Sequence, residues 1–287
     1  MRPGVRAHIE IDDGATRRRL SFIARGQGSV RSALLCLHGL TRNARDFDFL
    51  AERMAGDRRV IAVDIAGRGQ SDPLSDAAGY QIPTYVQDVV ALLDALGLDR
   101  VDWLGTSMGG LIAMAIAADP RIARRIGRLV LNDVGPLIPA AALARIGQYV
   151  GREWRFPDLA AAESHVRAAY APFGRLSDAQ WRFMTEISVV ADAGGGYVPA
   201  YDPAIGAASR GQDFTDIGLW PLWDAIRAPV LVLRGADSDV LLAETAAEMT
   251  RRGPRAELVT FDGVGHAPAL FDDDQIEVIA RWLNSPK

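Results

Sequence analysis

Cysteine and long hydrophobic stretches are both scarce in this sequence. A single cysteine, Cys36, occurs in 287 residues, so no disulfide can form within the chain. Cys36 lies inside the apolar run 33–37, where we expect it to pack in the core. No apolar run approaches the roughly twenty residues of a membrane-spanning helix, and the N-terminus has no signal-like apolar core. We therefore expect a soluble, cytoplasmic protein that has no membrane partner.

An excess of charge of either sign is also lacking. The chain has 32 Lys and Arg residues against 36 Asp and Glu residues, a formal net charge of -4, and its basic residues are spread along the sequence. Because proteins that bind nucleic acid present a basic patch, we expect no nucleic acid as a partner. A small molecule is the expected partner instead. Nothing in the sequence indicates an oligomeric state.

The pattern of apolar residues predicts a fold class. Two alternating segments, Val5 to Ile11 and Arg19 to Ala24, predict an antiparallel hairpin around the turn Asp12-Asp13-Gly14. Helical periodicity, as over residues 86–96, separates the runs that follow. We expect a doubly wound, mostly parallel α/β sheet with an N-terminal antiparallel hairpin. Its parallel strands are predicted where short apolar runs are continuous, since such strands are covered on both faces: 34–37, 60–63, 101–104, 129–131 and 230–233.

The short apolar runs that predict parallel strands are missing between Gly135 and Trp220. Helix-like pieces at 140–150, 159–171 and 177–190 fill this stretch, which predicts an inserted helical cap over the carboxyl edge of the sheet. The predicted domains are a core of residues 1–134 and 221–287 and a cap of residues 135–220. Some aromatic residues there either line a substrate pocket or join the cap to the core: Trp154, Trp181, Phe183 and Trp220.

One serine lies at a predicted strand-to-helix turn. The segment Gly105-Thr106-Ser107-Met108-Gly109 follows the apolar run 101–104 and precedes the apolar stretch 111–118. A G-x-S-x-G turn needs its glycines because the serine adopts a strained backbone angle, and a Cβ two residues away would meet the neighbouring strand or helix. The strain holds the hydroxyl out of the sheet. Ser107 is therefore the candidate nucleophile.

A serine hydroxyl needs a base to take its proton, and histidine is the usual base. His266 follows a predicted last strand over 258–261 and lies in a glycine-rich loop, 263–265, before a predicted helix over 273–283. A histidine in such a loop can reach a serine at the end of a strand, so His266 is the candidate base. For the remaining histidines we expect packing, surface or loop-orienting roles: His8, His38 and His165.

Two further patterns are weaker than they look. Gly67-Arg68-Gly69 superficially suggests a phosphate-binding loop, but it lacks the lysine and the spacing of such loops. The acidic run Asp272-Asp273-Asp274 begins the predicted last helix, where negative charge meets the positive end of the helix dipole. We interpret this run as a helix cap and not as a calcium site. No metal and no cofactor is expected.

Four segments together give the chain a resemblance that covers nearly its whole length. They are Leu37-His38-Gly39, the segment 63–71, the segment 105–110 and Gly265-His266. With them the chain resembles the α/β-hydrolase fold superfamily, in particular its capped serine esterases and lipase-like hydrolases. The resemblance implies the chain order serine, acid, histidine, with Ser107 and His266 in the first and last roles. It also implies an oxyanion hole made of the backbone N–H groups of Leu40 and Met108.

The acid departs from the usual pattern of that superfamily. After the predicted strand 230–233, the usual place of the aspartate holds Ser238, while Asp239 comes one residue late and Asp237 one residue early. The other acid site in the superfamily follows the preceding strand, where Asp133 stands directly after Asn132. We favour Asp133, with Asp239 as the competing acid and Asp237 third. A carboxylate that is not the acid is expected to cap a helix.

The reaction that the resemblance favours is cleavage of a carboxylic ester, or of a related acyl compound, through an acyl-enzyme. A serine at this turn argues against the dehalogenase and epoxide hydrolase chemistry of similar folds, which uses an aspartate. Cofactor-free hydrolysis of a C–C bond in a diketone-like substrate uses the same triad and is the alternative. A non-catalytic ligand receptor is a further alternative, because fold alone decides none of these.

Overall fold

The computed structural model describes residues 4–12, 14, 16–26, 33–209 and 213–286. Within them the strands are β1 Val5–Asp12, β2 Arg17–Arg25, β3 Leu34–Leu37, β4 Val60–Val63, β5 Val101–Thr106, β6 Ile126–Asn132, β7 Leu137–Ile138, β8 Val189–Ala191, β9 Tyr197–Pro199, β10 Ile217–Gly218, β11 Val230–Gly235 and β12 Glu257–Phe261. The α-helices are α1 Asp48–Met54, α2 Ile82–Ala95, α3 Met108–Ala118, α4 Ala140–Gly147, α5 Leu159–Ala169, α6 Asp178–Ser188, α7 Trp220–Ala225, α8 Ala243–Met249 and α9 Asp273–Asn284.

An eight-stranded sheet forms the centre of the molecule, in the order β1-β2-β4-β3-β5-β6-β11-β12. The pairs β1–β2 and β2–β4 are antiparallel, and every pair from β4 to β12 is parallel. This confirms the expected α/β class with its N-terminal hairpin. Asp13, in the predicted turn of that hairpin, lies outside the described residues. Because β3, β5 and β6 are parallel neighbours, their carboxyl ends meet at one edge.

Apolar side chains cover both faces of the sheet. Leu35 and Leu37 face a cluster that includes α2 and α3, whereas Leu34 and Cys36 face a cluster that includes α1 and α9. All four side chains are fully buried, as the continuous apolar run predicts. Burial in these surroundings raises the pKa of the Cys36 thiol, which leaves it a packing residue.

The chain between β6 and the next strand of the central sheet, β11, carries β7 to β10 and α4 to α7, and we call residues 135–220, which hold most of these elements, the insertion. The two ends of the insertion lie side by side, because β7 and β10 pair with Ile138 opposite Ile217. The helix expected over 177–190 ends instead at Ser188, because Val189 begins β8; β-branched residues of this kind prefer strands to helices. The antiparallel pair β8–β9 was not predicted.

The insertion is attached to the core edge that carries the ends of the parallel strands. The Asn43 side chain donates to the Ile187 carbonyl at 2.5 Å, and the Gly265 amide donates to the Pro172 carbonyl at 2.6 Å. Both contacts tie α6 or the segment after α5 to loops at the carboxyl ends of strands. Throughout the described ranges, no helix combines the length and the apolar character that crossing a bilayer requires.

Candidate active site

Ser107 stands between β5 and α3, where the backbone reverses sharply. Its φ of 52° and ψ of -117° lie in a region that costs an L-residue about 1–3 kcal/mol. The neighbouring glycines permit this turn. A Cβ on Gly105 would lie 2.5 Å from the Gly109 carbonyl, and one on Gly109 would lie 2.1 Å from the Leu37 carbonyl. Helix α3 and strand β3 therefore approach the turn so closely that only hydrogen atoms fit.

The imidazole of His266 joins Ser107 to a buried carboxylate. Its Nε2 lies 2.9 Å from Ser107 Oγ, and its Nδ1 lies 2.7 Å from Asp133 Oδ2. A carboxylate only accepts hydrogen bonds, so Nδ1 carries the proton and Nε2 is left to accept from the serine hydroxyl. The Asp133 side chain is fully buried and that of His266 is 12% exposed. The three groups form one continuous hydrogen-bonded chain.

Asp133 is itself held by two further donors. The Gly235 amide donates to Oδ1 at 2.9 Å, and the Ser238 hydroxyl donates to Oδ2 at 2.5 Å. Ser238 Oγ accepts from the amides of Val240 and Leu241, which directs its proton to the carboxylate. This contact of Ser238 was not foreseen, although its place at the usual acid position was the available signal.

The other two candidate acids lie apart from the imidazole. Asp239 forms an ion pair with Arg145 of α4, with 2.5 Å between Asp239 Oδ2 and Arg145 Nε, and its side chain is 47% exposed. Asp237 is exposed as well. The structure thus brings Asp133 to His266, while Asp239 connects the core to the insertion.

The expected oxyanion donors, the N–H groups of Met108 and Leu40, belong to the turn after β5 and to the loop after β3. Met108 begins α3, and N–H groups in the first turn of a helix have no carbonyl partner within that helix. Leu40 follows Gly39, whose carbonyl accepts from the Arg42 amide at 3.1 Å and contacts His38 Nδ1 at 2.7 Å. The Gly39 carbonyl and the Leu40 N–H belong to one trans peptide and point in opposite directions, so the two contacts that hold the carbonyl also fix the direction of the N–H.

His38 is a loop-orienting residue in this geometry. Its Nε2 accepts from the Ile65 amide at 3.0 Å, so Nδ1 carries the proton and donates to the Gly39 carbonyl. Burial, with smaller contributions from Arg68 and Arg42, lowers the pKa of His38 to about 3. The ring is therefore neutral at physiological pH and links the loops that follow β3 and β4.

The remaining histidines lie away from Ser107. His8 is on β1 with 54% of its side chain exposed. His165 lies on α5 against Trp154 and Phe156, and burial lowers its pKa.

A cavity opens in front of Ser107 between the core and the insertion. Its wall is partly apolar, with Ile146, Phe173 and Phe271, and partly polar, with Thr41 and Arg145. The aromatic residues considered as a lining are not part of this wall. Phe183, for example, packs on Phe49 and Phe271 and joins the insertion to the core.

Comparison with known proteins gives consistent matches over most of the chain. The sequence profile of the Alpha/beta hydrolase family matches residues 34–282. A 3-hydroxybutyrate-oligomer hydrolase of Cupriavidus necator is 41% identical over 92% of this chain and 92% of its own length. A 2-(acetamidomethylene)succinate hydrolase of Mesorhizobium japonicum is 28% identical over 91% of both chains. Among solved structures, an alpha/beta hydrolase from Novosphingobium aromaticivorans superposes with a TM-score of 0.87, at 40% identity over 99% of both chains.

Proposed function

The chain belongs to the alpha/beta hydrolase family, and from that premise we propose that it is a serine hydrolase that cleaves a carboxylic ester through an acyl-enzyme. One observation carries the proposal: the unbroken hydrogen-bonded chain from Ser107 Oγ through His266 to Asp133 Oδ2. For the oxyanion donors we propose two backbone amides near Ser107, those of Leu40 and Met108. Nucleophile, base and orienting acid are the parts that acyl transfer requires.

In the proposed mechanism, Ser107 Oγ attacks the ester carbonyl while His266 Nε2 takes the hydroxyl proton. The oxyanion of the tetrahedral intermediate accepts from the amides of Leu40 and Met108, whose fixed dipoles need no rearrangement. His266 then protonates the leaving alcohol as the C–O bond breaks. A water molecule repeats the sequence on the acyl-enzyme and releases the acid. Asp133 keeps the proton on Nδ1 and stabilises the imidazolium formed in each step.

For the substrate we propose a short oligoester of a hydroxy acid. The relative at 41% identity is named for 3-hydroxybutyrate oligomers, and it matches 92% of this chain. The mixed wall of the cavity suits such a molecule. Ile146 and Phe173 offer apolar surface to a short acyl chain, and the Thr41 hydroxyl and the Arg145 guanidinium, which also pairs with Asp239, lie on the same wall for a terminal hydroxyl or carboxylate.

A paired assay tests this proposal. Wild type and Ser107→Ala would be incubated with chromogenic esters of graded acyl length, with hydroxy-acid dimers and trimers, and with a vinylogous diketone. We expect ester hydrolysis by wild type alone and labelling of wild type alone by a fluorophosphonate probe. Turnover of only the diketone would favour C–C hydrolysis, and substrate binding with no turnover would favour a receptor. Labelling that persists in Ser107→Ala would refute the assignment of the nucleophile.

A further inference from the structure

Arg68 is a buried cation whose partners are unusual. It lies in the loop after β4, and 1% of its surface is exposed. No carboxylate among the described residues forms an ion pair with it; its Nε donates to the Leu40 carbonyl at 2.9 Å, and its Nη1 donates to the Ala66 carbonyl at 2.7 Å and to the Tyr85 hydroxyl at 2.9 Å. The guanidinium also lies 5.2 Å from the centre of the Tyr85 ring. Burying a charge in this way is costly, so the stability of the fold alone would favour an apolar residue.

Two contacts of this guanidinium reach the segments that present the proposed oxyanion donors. One is the hydrogen bond from Nε to the carbonyl of Leu40. The other is the contact of Nη2 with the Met108 sulfur at 3.9 Å. Arg68 thus connects the loop after β3 with the first residue of α3, and both lie beside Ser107.

We infer that Arg68 is a positioning residue of the oxyanion hole, one that holds the Leu40 peptide, packs on the Met108 side chain and adds a positive potential near both donor amides. The inference rests on the proposed acyl transfer. The peptide before Leu40 is held through the Gly39 carbonyl by His38, and the peptide after it is held through the Leu40 carbonyl by Arg68. With both flanking peptide planes fixed, the Leu40 N–H keeps one direction as charge develops.

The glycines on either side of Arg68 allow the backbone conformation that turns its side chain into the protein interior. Gly67 and Gly69 have φ values of 75° and 58°, which favour glycine. A Cβ on Gly69 would also lie 2.2 Å from Asp64 Oδ1. The Gly-Arg-Gly segment that superficially suggested a phosphate loop is therefore a loop whose backbone conformation places Arg68 against Leu40 and Met108.

The test compares substitutions of Arg68 with those of a matched control. Arg68→Lys keeps the charge but loses the planar fork of donors, and Arg68→Met removes both. Arg128 on β6 is the control: it is also buried, donates to the Ser285 carbonyl at 2.7 Å, stacks on Trp282 and has no described carboxylate partner. Each variant would be assayed with the best ester from the screen, and active sites would be counted by fluorophosphonate titration.

We expect kcat per titrated site to fall about 30-fold in Arg68→Lys and roughly 10²-fold in Arg68→Met, with KM within about threefold of wild type. The Ki of a trifluoromethyl ketone analogue, which forms a tetrahedral adduct with Ser107, should rise in parallel. Arg128→Lys and Arg128→Met should keep wild-type kcat and Ki per site, whatever stability they lose. If Arg68→Met does not fold, Arg68→Lys alone carries the test.

Three results would overturn the inference: kcat of Arg68→Lys within threefold of wild type, a fall in kcat without a rise in Ki, or an equal fall in the Arg128 variants. In each of these the wild type still hydrolyses the ester, so the proposed function stands. Failure of the proposed function is a separate outcome, since wild type would then neither turn over an ester nor react with the probe.

Discussion

Replacing Asp133 by Asn tests the hydrogen-bonded chain at its most buried point. The amide nitrogen must take the place of one carboxylate oxygen. At the Oδ1 position it would set an N–H against the Gly235 N–H at 2.9 Å, and two buried donors facing each other cost about 1–3 kcal/mol. The alternative places the amide nitrogen at Oδ2, 2.7 Å from His266 Nδ1. Nδ1 must then accept, the proton moves to Nε2, and the base toward Ser107 is lost.

The expected loss in kcat is about 10⁴-fold, equivalent to about 5.5 kcal/mol of transition-state stabilisation. Stopped-flow acylation by a chromogenic ester would measure it, with urea unfolding as a check on the fold. Asp239→Asn is the control. Its carboxylate pairs with Arg145 at a half-exposed position, so the change should cost at most about 1 kcal/mol of stability and leave kcat within about threefold. Equal losses in the two variants, or more than a tenth of wild-type kcat in Asp133→Asn, would refute the reasoning.

Further predictions concern the other groups of the site. His266→Ala should lose about as much kcat as Ser107→Ala, and the double variant little more, because members of one catalytic unit are non-additive; steady-state kinetics of the three proteins would show additive losses if this is wrong. Ser238→Ala should lower kcat about tenfold, since the carboxylate loses a charge-assisted hydrogen bond made at 2.5 Å, and an unchanged kcat would contradict this role. His38 has its pKa lowered to about 3 in the fold, below the 6.5 of free histidine, so the unfolded chain binds more protons between those values. The stability of wild type should therefore fall as pH drops through that window, by up to about 1.4 kcal/mol per pH unit from this group, and urea unfolding of His38→Asn should show a shallower slope.

The parallel strands of the sheet could be predicted because a strand that is buried on both faces is a continuous run of apolar residues. Leu34–Leu37 and Val60–Val63 are continuous apolar runs with the same bounds in sequence and structure. The strands of the short pairs β7–β10 and β8–β9 could not be recognised from such runs. Two or three residues carry no periodicity, and their partners are distant in sequence or lie across a glycine turn.

Positions in the site were predictable where a backbone constraint shows in the sequence. Ser107 is marked by the glycines that the close approach of α3 and β3 requires. His266 can reach Ser107 because β5 and β12 are parallel strands of one sheet and end at the same edge. The place of Ser238 at the usual acid position was a signal for a role near the acid, but its hydrogen bond to Asp133 depends on how far the loop after β11 turns back toward β6, which the sequence does not show. The role inferred for Arg68 was not predictable, because the burial of its side chain depends on tertiary contacts that the Gly-Arg-Gly pattern does not show.

The pairing of β7 with β10 brings the two ends of the insertion side by side, with Gly218 opposite Leu137. The two junctions of the insertion therefore lie together, so an exchange of the segment between them would have both of its joins at one place. Ile146 and Phe173, which the insertion contributes to the cavity, lie between these two junctions, whereas Ser107, Asp133 and His266 lie outside them. Grafting the corresponding segment of another hydrolase between these strands, with Pro172 retained because its carbonyl accepts from the Gly265 amide beside His266, would test whether the insertion sets the proposed specificity.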